Sequence, residues 1–153
     1  MSGDLQASYL ITVSCMEPCM PLIAWKDDYS VNNEILDNHH KELFRIINEL
    51  YDDCLNVDNV NCLGPKLDDL VSYSKYHINA EEQFMKDKGY KDYENHIVLH
   101  SQFVRKINDV YVNYPQNELE ASRDLIIFLG NWILNHIIKE DLKYSQQAIS
   151  PYL

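Results

Sequence analysis

Glycine and proline are scarce here, four and five of 153 residues, which excludes collagenous, low-complexity and loop-dominated architectures. Basic residues are also few: 13 Lys and Arg stand against 24 Asp and Glu, a net charge of −11. Such a surface repels nucleic acid and anionic lipid, so neither is expected as a partner. No apolar run approaches the ~18 residues a membrane span needs, and no long stretch alternates apolar and polar residues as a strand does. The four cysteines, Cys15, Cys19, Cys54 and Cys62, do not make a disulfide framework at this length. They read as reduced thiols, which points to the cytoplasm. Cys15 and Cys19 lack close Cys-x-x-Cys spacing and have no histidine nearby, so they carry little weight as zinc ligands.

What is present is an apolar content of 46%, enough at this length for one domain with its own core. Residues 1–19 read differently from the rest. Tyr9 to Cys15 is apolar but short, with no basic residue ahead of it, and makes a poor signal peptide. The expectation is an N-terminal appendage or an over-extended start over 1–19, and a domain over 20–153.

Four helical stripes follow. Leu36, His40, Leu43, Ile47, Leu50 and Cys54 advance by fours and threes, with Asn32 and Asn33 as candidate N-caps. After a polar loop, Asn56 to Cys62, Gly64-Pro65 opens a second helix with Pro65 at its first position. Its stripe is Leu67, Leu70, Val71, Ser74, His77, Ile78, Glu81 and Met85, and Gly89 supplies the stop. A third helix spans about Asp92 to Asn113, with Tyr93, His96, Ile97, His100, Phe103, Val104, Ile107 and Tyr111 inward and Pro115 ending it. Asn117-Glu-Leu-Glu120 resembles a capping box and starts the fourth, whose stripe is Leu125, Ile126, Leu129, Trp132, Ile133, His136 and Ile137. Gly130 inside that helix costs about 1 kcal/mol relative to alanine, and close approach of a neighbour is the expected reason. Long helices joined by short links predict an all-α fold, an antiparallel up-down-up-down four-helix bundle.

Of six histidines, only His39 falls off these stripes. An apolar core offers few acceptors for five imidazoles, and buried polar groups without partners are expensive. A metal resolves this by taking one lone pair from each ring while other groups accept the remaining N–H. Depth agrees. His40 comes early in an up-going helix, His77 and Glu81 late in a down-going one, His96 and His100 early in the third, and His136 late in the fourth. All converge near one end of the bundle. Glu81 shares the His77 face, whereas Glu82 is turned ~100° away and reads as a solvated side chain. Asp141 follows His136 by five residues, although a regular helix would align Glu140. Either Glu140 is the ligand, or the backbone is distorted there, as π-bulges at functional sites often are.

Five imidazoles and two carboxylates are too many donors for one tetrahedral zinc. They suit two octahedral or near-octahedral ions bridged by carboxylates, and are compatible with iron, manganese or zinc. The Glu-x-x-His pattern of ferritin-like di-iron bundles is absent, and a nitrogen-rich site is poorly suited to oxygenase chemistry.

Taken together, Trp25, Asp37-Asn-His-His40-Lys-Glu-Leu-Phe44, His77-Ile-Asn-Ala-Glu81-Glu82, Met85, Gly89-Tyr90, His96-x-x-x-His100 and Trp132-Ile-Leu-Asn-His136-Ile-Ile-Lys-Glu-Asp141 resemble the hemerythrins, especially single-domain bacterial-type members. The likeness covers about Trp25 to Tyr144. It implies two non-haem iron ions with a bridging hydroxide or oxide. By it, His96, His100 and His136 hold one iron, His40 and His77 hold the other and leave a position open, and Glu81 and Asp141 bridge the pair. The resemblance favours Asp141 over Glu140, and His40 over His39, which reads as a surface or supporting residue.

The function it implies is reversible dioxygen binding by a carrier or store, with O2 held end-on as hydroperoxide on the open iron, and no enzymatic turnover. By position in the motif, Leu43, Ile78, Trp132, Ile133 and Ile137 should line the oxygen pocket. None is an acid or base, and apolar walls slow water entry and loss of peroxide. Ile78 stands where phenylalanine is common, so oxygen access or autoxidation is expected to differ. The competing readings are oxygen or redox sensing, iron handling, and peroxide or nitric oxide chemistry at the same site. Mixed acidic outer faces without a large apolar patch point to a monomer.

Overall fold

The structure is a computed structural model that describes residues 20–55, 63–113 and 118–149. The appendage over 1–19, the loop at 56–62, the Pro115 stop and the cap at Asn117 lie outside the described residues.

Helix α1 spans Glu34–Leu55. Asn33 is its N-cap, with Oδ1 accepting from the N–H groups of Ile35 and Leu36 at 3.1 and 3.2 Å. Asn32 is not the cap. It sits in the left-handed region at φ +56°, a conformation asparagine tolerates, and donates from Nδ2 to Ser145 Oγ.

Helix α2, Leu63–Asp87, starts two residues before Pro65. The proline still lies in the first turn, where its missing N–H loses no intrahelical bond. The other end closes on Gly89 at φ +60°. Tyr90 N–H donates to Met85 O and Gly89 N–H to Lys86 O, the paired bonds of a Schellman stop. Tyr90 and Met85 also pack together in one apolar cluster.

Helix α3 runs over Tyr93–Asn113 and buries His96, His100, Phe103, Ile107 and Val110. Val110 takes the inward position expected of Tyr111, which is 41% exposed. A four–three–four–three advance reaches 110, not 111. Helix α4 is Glu118–His136, followed by a π-helical turn, Ile137–Asp141, and helix α5, Leu142–Ile149. A Cβ built on Gly130 meets nothing within 4 Å, so the close neighbour expected there is absent.

α1 packs on α2 and α4, and α3 packs on the same two, which closes an antiparallel four-helix bundle. Among the described residues there is no strand, and no helix is long and apolar enough to cross a membrane. The main core contains Leu43, Ile47, Leu50, Leu67, Leu70, Phe103, Ile107, Leu125, Leu129 and Ile133. A smaller cluster of Val31, Leu36, Met85, Tyr90 and Tyr144 lies beyond the histidines. On α1 the order is Leu36, His40, Leu43; on α2 it reverses, from Ile78 through Glu81 to Met85. The polar layer is thus sealed between two apolar ones.

Candidate metal centre

Each helix of the bundle contributes to that layer. His40, His77, His96, His100, His136, Glu81 and Asp141 are all buried, with His40, Glu81 and Asp141 fully so. The imidazoles form two groups. His96, His100 and His136 have ring centroids 4.6–4.9 Å apart, and His40 and His77 face each other at 4.8 Å. Ligand atoms of Glu81, His96, His100 and His136 all lie within 4.8 Å of one another, as do those of His40, His77 and Glu81.

Both carboxylates span the two groups. Glu81 Oε1 lies 3.8 Å from His40 Nε2, while Oε2 lies 2.9 Å from His100 Nε2 and 3.6 Å from His96 Nε2. Asp141 Oδ2 is 3.4 Å from His40 Nε2, and its Oδ1 is 3.3 and 3.1 Å from His96 and His136 Nε2.

The π-turn is what brings Asp141 in. Leu142 N–H reaches back five residues to Ile137 O, so one extra residue is accommodated before the helix resumes. Of the two alternatives left open by spacing, the distorted backbone is the one found. Glu140 turns outward and accepts from Lys143 Nζ at 2.6 Å.

The titratable groups of the layer shift one another in opposite directions. Burial opposes ionisation of Glu81, yet His77, His100 and His96 together hold its carboxyl well below the ordinary range. Asp141 is likewise held low: burial and the Glu81 charge push it up, and His136 and His96 outweigh them. The histidines answer differently. Burial pushes His77 down to about 3. His96 overcomes its burial through Asp141 and Glu81 and is pushed up to about 9. His100 is raised against burial by its contacts with Glu81.

Residues 31–148 match the Hemerythrin HHE cation binding domain. The chain belongs to the hemerythrin family. It is 32% identical over 126 residues to a bacteriohemerythrin of Methylococcus capsulatus, covering 82% of this chain and 95% of that one. It is 31% identical over 120 residues to a myohemerythrin of Theromyzon tessulatum, covering 78% and 88% respectively. A crystal structure of wild-type hemerythrin superposes with a TM-score of 0.72 at 29% identity, covering 83% of this chain and 98% of that chain.

The hemerythrin fold of this chain fits a cation-binding role on its own terms. His40 Nδ1 and Nε2, His77 Nδ1, both ring nitrogens of His96 and both oxygens of Asp141 are buried without a hydrogen-bond partner. A buried layer with that many unpaired donors and acceptors is costly. Cations seated among the Nε2 and carboxylate atoms would engage most of them at once.

Three residues of this hemerythrin layer escape the helical-stripe pattern. Glu82 is not merely solvated: it is 25% exposed and its Oε1 lies 3.0 Å from His100 Nδ1. The 100° turn that removes it from the His77 face points it toward α3. Tyr144 donates to Glu81 Oε1 at 2.6 Å, and burial and the Glu81 charge push its hydroxyl well above its ordinary value. Its signal is the spacing of three residues from Asp141. His39 is not a surface residue. It is 7% exposed and packs against Tyr73, Tyr76 and His77, and burial with the neighbouring His40 lowers its pKa.

The expected pocket walls are placed as follows. Leu43, Ile78, Ile133 and Ile137 are buried members of the main core, with Trp132 half-buried against it. Trp132 stacks on His136 at 4.2 Å and on Phe103 at 4.1 Å.

Proposed function

We propose that the chain binds dioxygen reversibly, as a carrier or store, at a non-haem di-iron centre. The observation that carries this reading is the grouping of five buried imidazoles as three and two, with both carboxylates reaching both groups. In it, His96, His100 and His136 would hold one iron, His40 and His77 the other, and Glu81 and Asp141 would lie between them. Two irons held by these residues would supply the electrons for reversible oxygen binding.

The protein's own contribution is restraint. Leu43, Ile78, Ile133 and Ile137 are buried aliphatic side chains that exclude water and supply no proton. The Tyr144 hydroxyl is committed to Glu81 and keeps its proton because burial and that carboxylate disfavour its ionisation. Retention of this proton favours release of the gas intact over its further protonation and reduction.

The test is optical. Ferrous-loaded protein given oxygen should develop a visible charge-transfer band that fades when oxygen is removed and returns through repeated cycles. Rapid, irreversible oxidation on the first exposure would overturn carriage and favour sensing or iron handling.

A further inference from the structure

Among the described residues, Glu82 is the carboxylate that meets the outer nitrogen of a candidate ligand imidazole. Its Oε1 lies 3.0 Å from His100 Nδ1. A carboxylate only accepts, so Nδ1 carries the proton. In a neutral ring that leaves the lone pair on Nε2, which faces Glu81 Oε2 at 2.9 Å and His136 Nε2 at 3.0 Å. Two nitrogens and a carboxylate oxygen at that spacing call for a cation.

The device is one-sided. Nδ1 of His40, His77 and His96 has no hydrogen-bond partner. Glu82 also lines an open groove of ≈430 Å³ between α2 and α3, with Ile78, His100, Ser101 and Arg105. Its charge is therefore partly solvated, while its hydrogen bond reaches into the buried layer.

We infer that Glu82 is a positioning residue for the three-histidine group. It fixes the tautomer and orientation of His100, strengthens the ring as a donor, and so selectively tightens the ion held by His96, His100 and His136. The same negative charge favours the ferric state of that ion over the ferrous. This rests on the two-iron reading above.

The experiment loads wild type, Glu82→Gln and Glu82→Ala with iron and follows release to a chelator, alongside the midpoint potentials. Wild type should release two irons in separable phases. Glu82→Gln should speed one phase by roughly tenfold, leave the other unchanged and move one potential to a more positive value. Glu82→Ala should do the same to a greater degree. Unchanged release and potentials in both variants would overturn the role of Glu82 while leaving the two-iron reading intact. Equal acceleration of both phases would also overturn it, since that reports a general loosening of the α2–α3 contact. A wild type that does not hold two irons would overturn the two-iron reading itself, and the role of Glu82 with it.

Discussion

Adjacent acidic residues at 140 and 141 have opposite fates. Glu140 is partly exposed and paired with Lys143, whereas Asp141 is fully buried between His40, His96 and His136. Asp141→Asn keeps the size of the side chain but removes a charge that would offset the two cations of the proposed centre. It should lower bound iron from two per chain to at most one, while Glu140→Gln should keep both. Iron-to-protein ratios after gel filtration decide this, and the reverse pattern would refute the assignment. Such a choice between neighbours was not legible from spacing, because helical periodicity assumes an unbroken helix. For His39 the limit is different. The stripe pattern separates the helix face aimed at the centre from the rest, but flanking faces are also buried where an adjacent helix, here with Tyr73 and Tyr76, covers them.

At the scale of elements, helix starts and stops followed local chemistry closely. Asn33 and Gly89 act where a cap and a left-handed stop are needed, because these preferences depend on a few consecutive residues. The two glycines make a contrasting pair. Gly130 is helical with nothing within 4 Å of a built Cβ, so Gly130→Ala should stabilise the protein by about 0.5–1 kcal/mol. Gly89 has φ +60°, and Gly89→Ala should destabilise by about 1–2 kcal/mol. Urea midpoints of the two variants should move in opposite directions; a matching shift would contradict the backbone argument. The π-turn belongs to this scale as well. Its position follows from Asp141 being drawn into the layer while α4 and α5 remain packed, a compromise between distant contacts that no local signal carries.

For the whole molecule, the buried layer links stability to pH and to metal. In metal-free protein, His77 titrates near 3 in the fold against about 6.5 when unfolded. The unfolded chain then binds more protons between those values, so stability falls as pH drops from 6.5 toward 3. His96 has the opposite sign. Its folded value near 9 means the fold holds an extra proton above 6.5, and that stability is lost as pH rises through 9. Metal-free protein should therefore be most stable near pH 6.5. Iron bound as proposed would replace the proton on His96 and should remove the alkaline loss. Urea midpoints at pH 5, 6.5 and 8.5, with and without chelator, check both arms; a metal-free midpoint still rising at pH 8.5 would contradict the His96 argument.

By itself the sequence determined the four helices, the Asn33 cap and Gly89 stop, most of the inward positions and the set of histidines at one depth of the bundle. Those properties follow from short-range periodicity and from the antiparallel order that short links impose. Only the tertiary structure decided how Asp141 enters, through a π-turn that sends Glu140 outward, that Glu82 turns to His100, that Tyr144 binds Glu81, and that nothing crowds Gly130. Each of these depends on what a neighbouring helix presents across the interface, and residues 18 to 63 positions apart in the chain meet there. Periodicity says which way a side chain faces. Packing says what it finds.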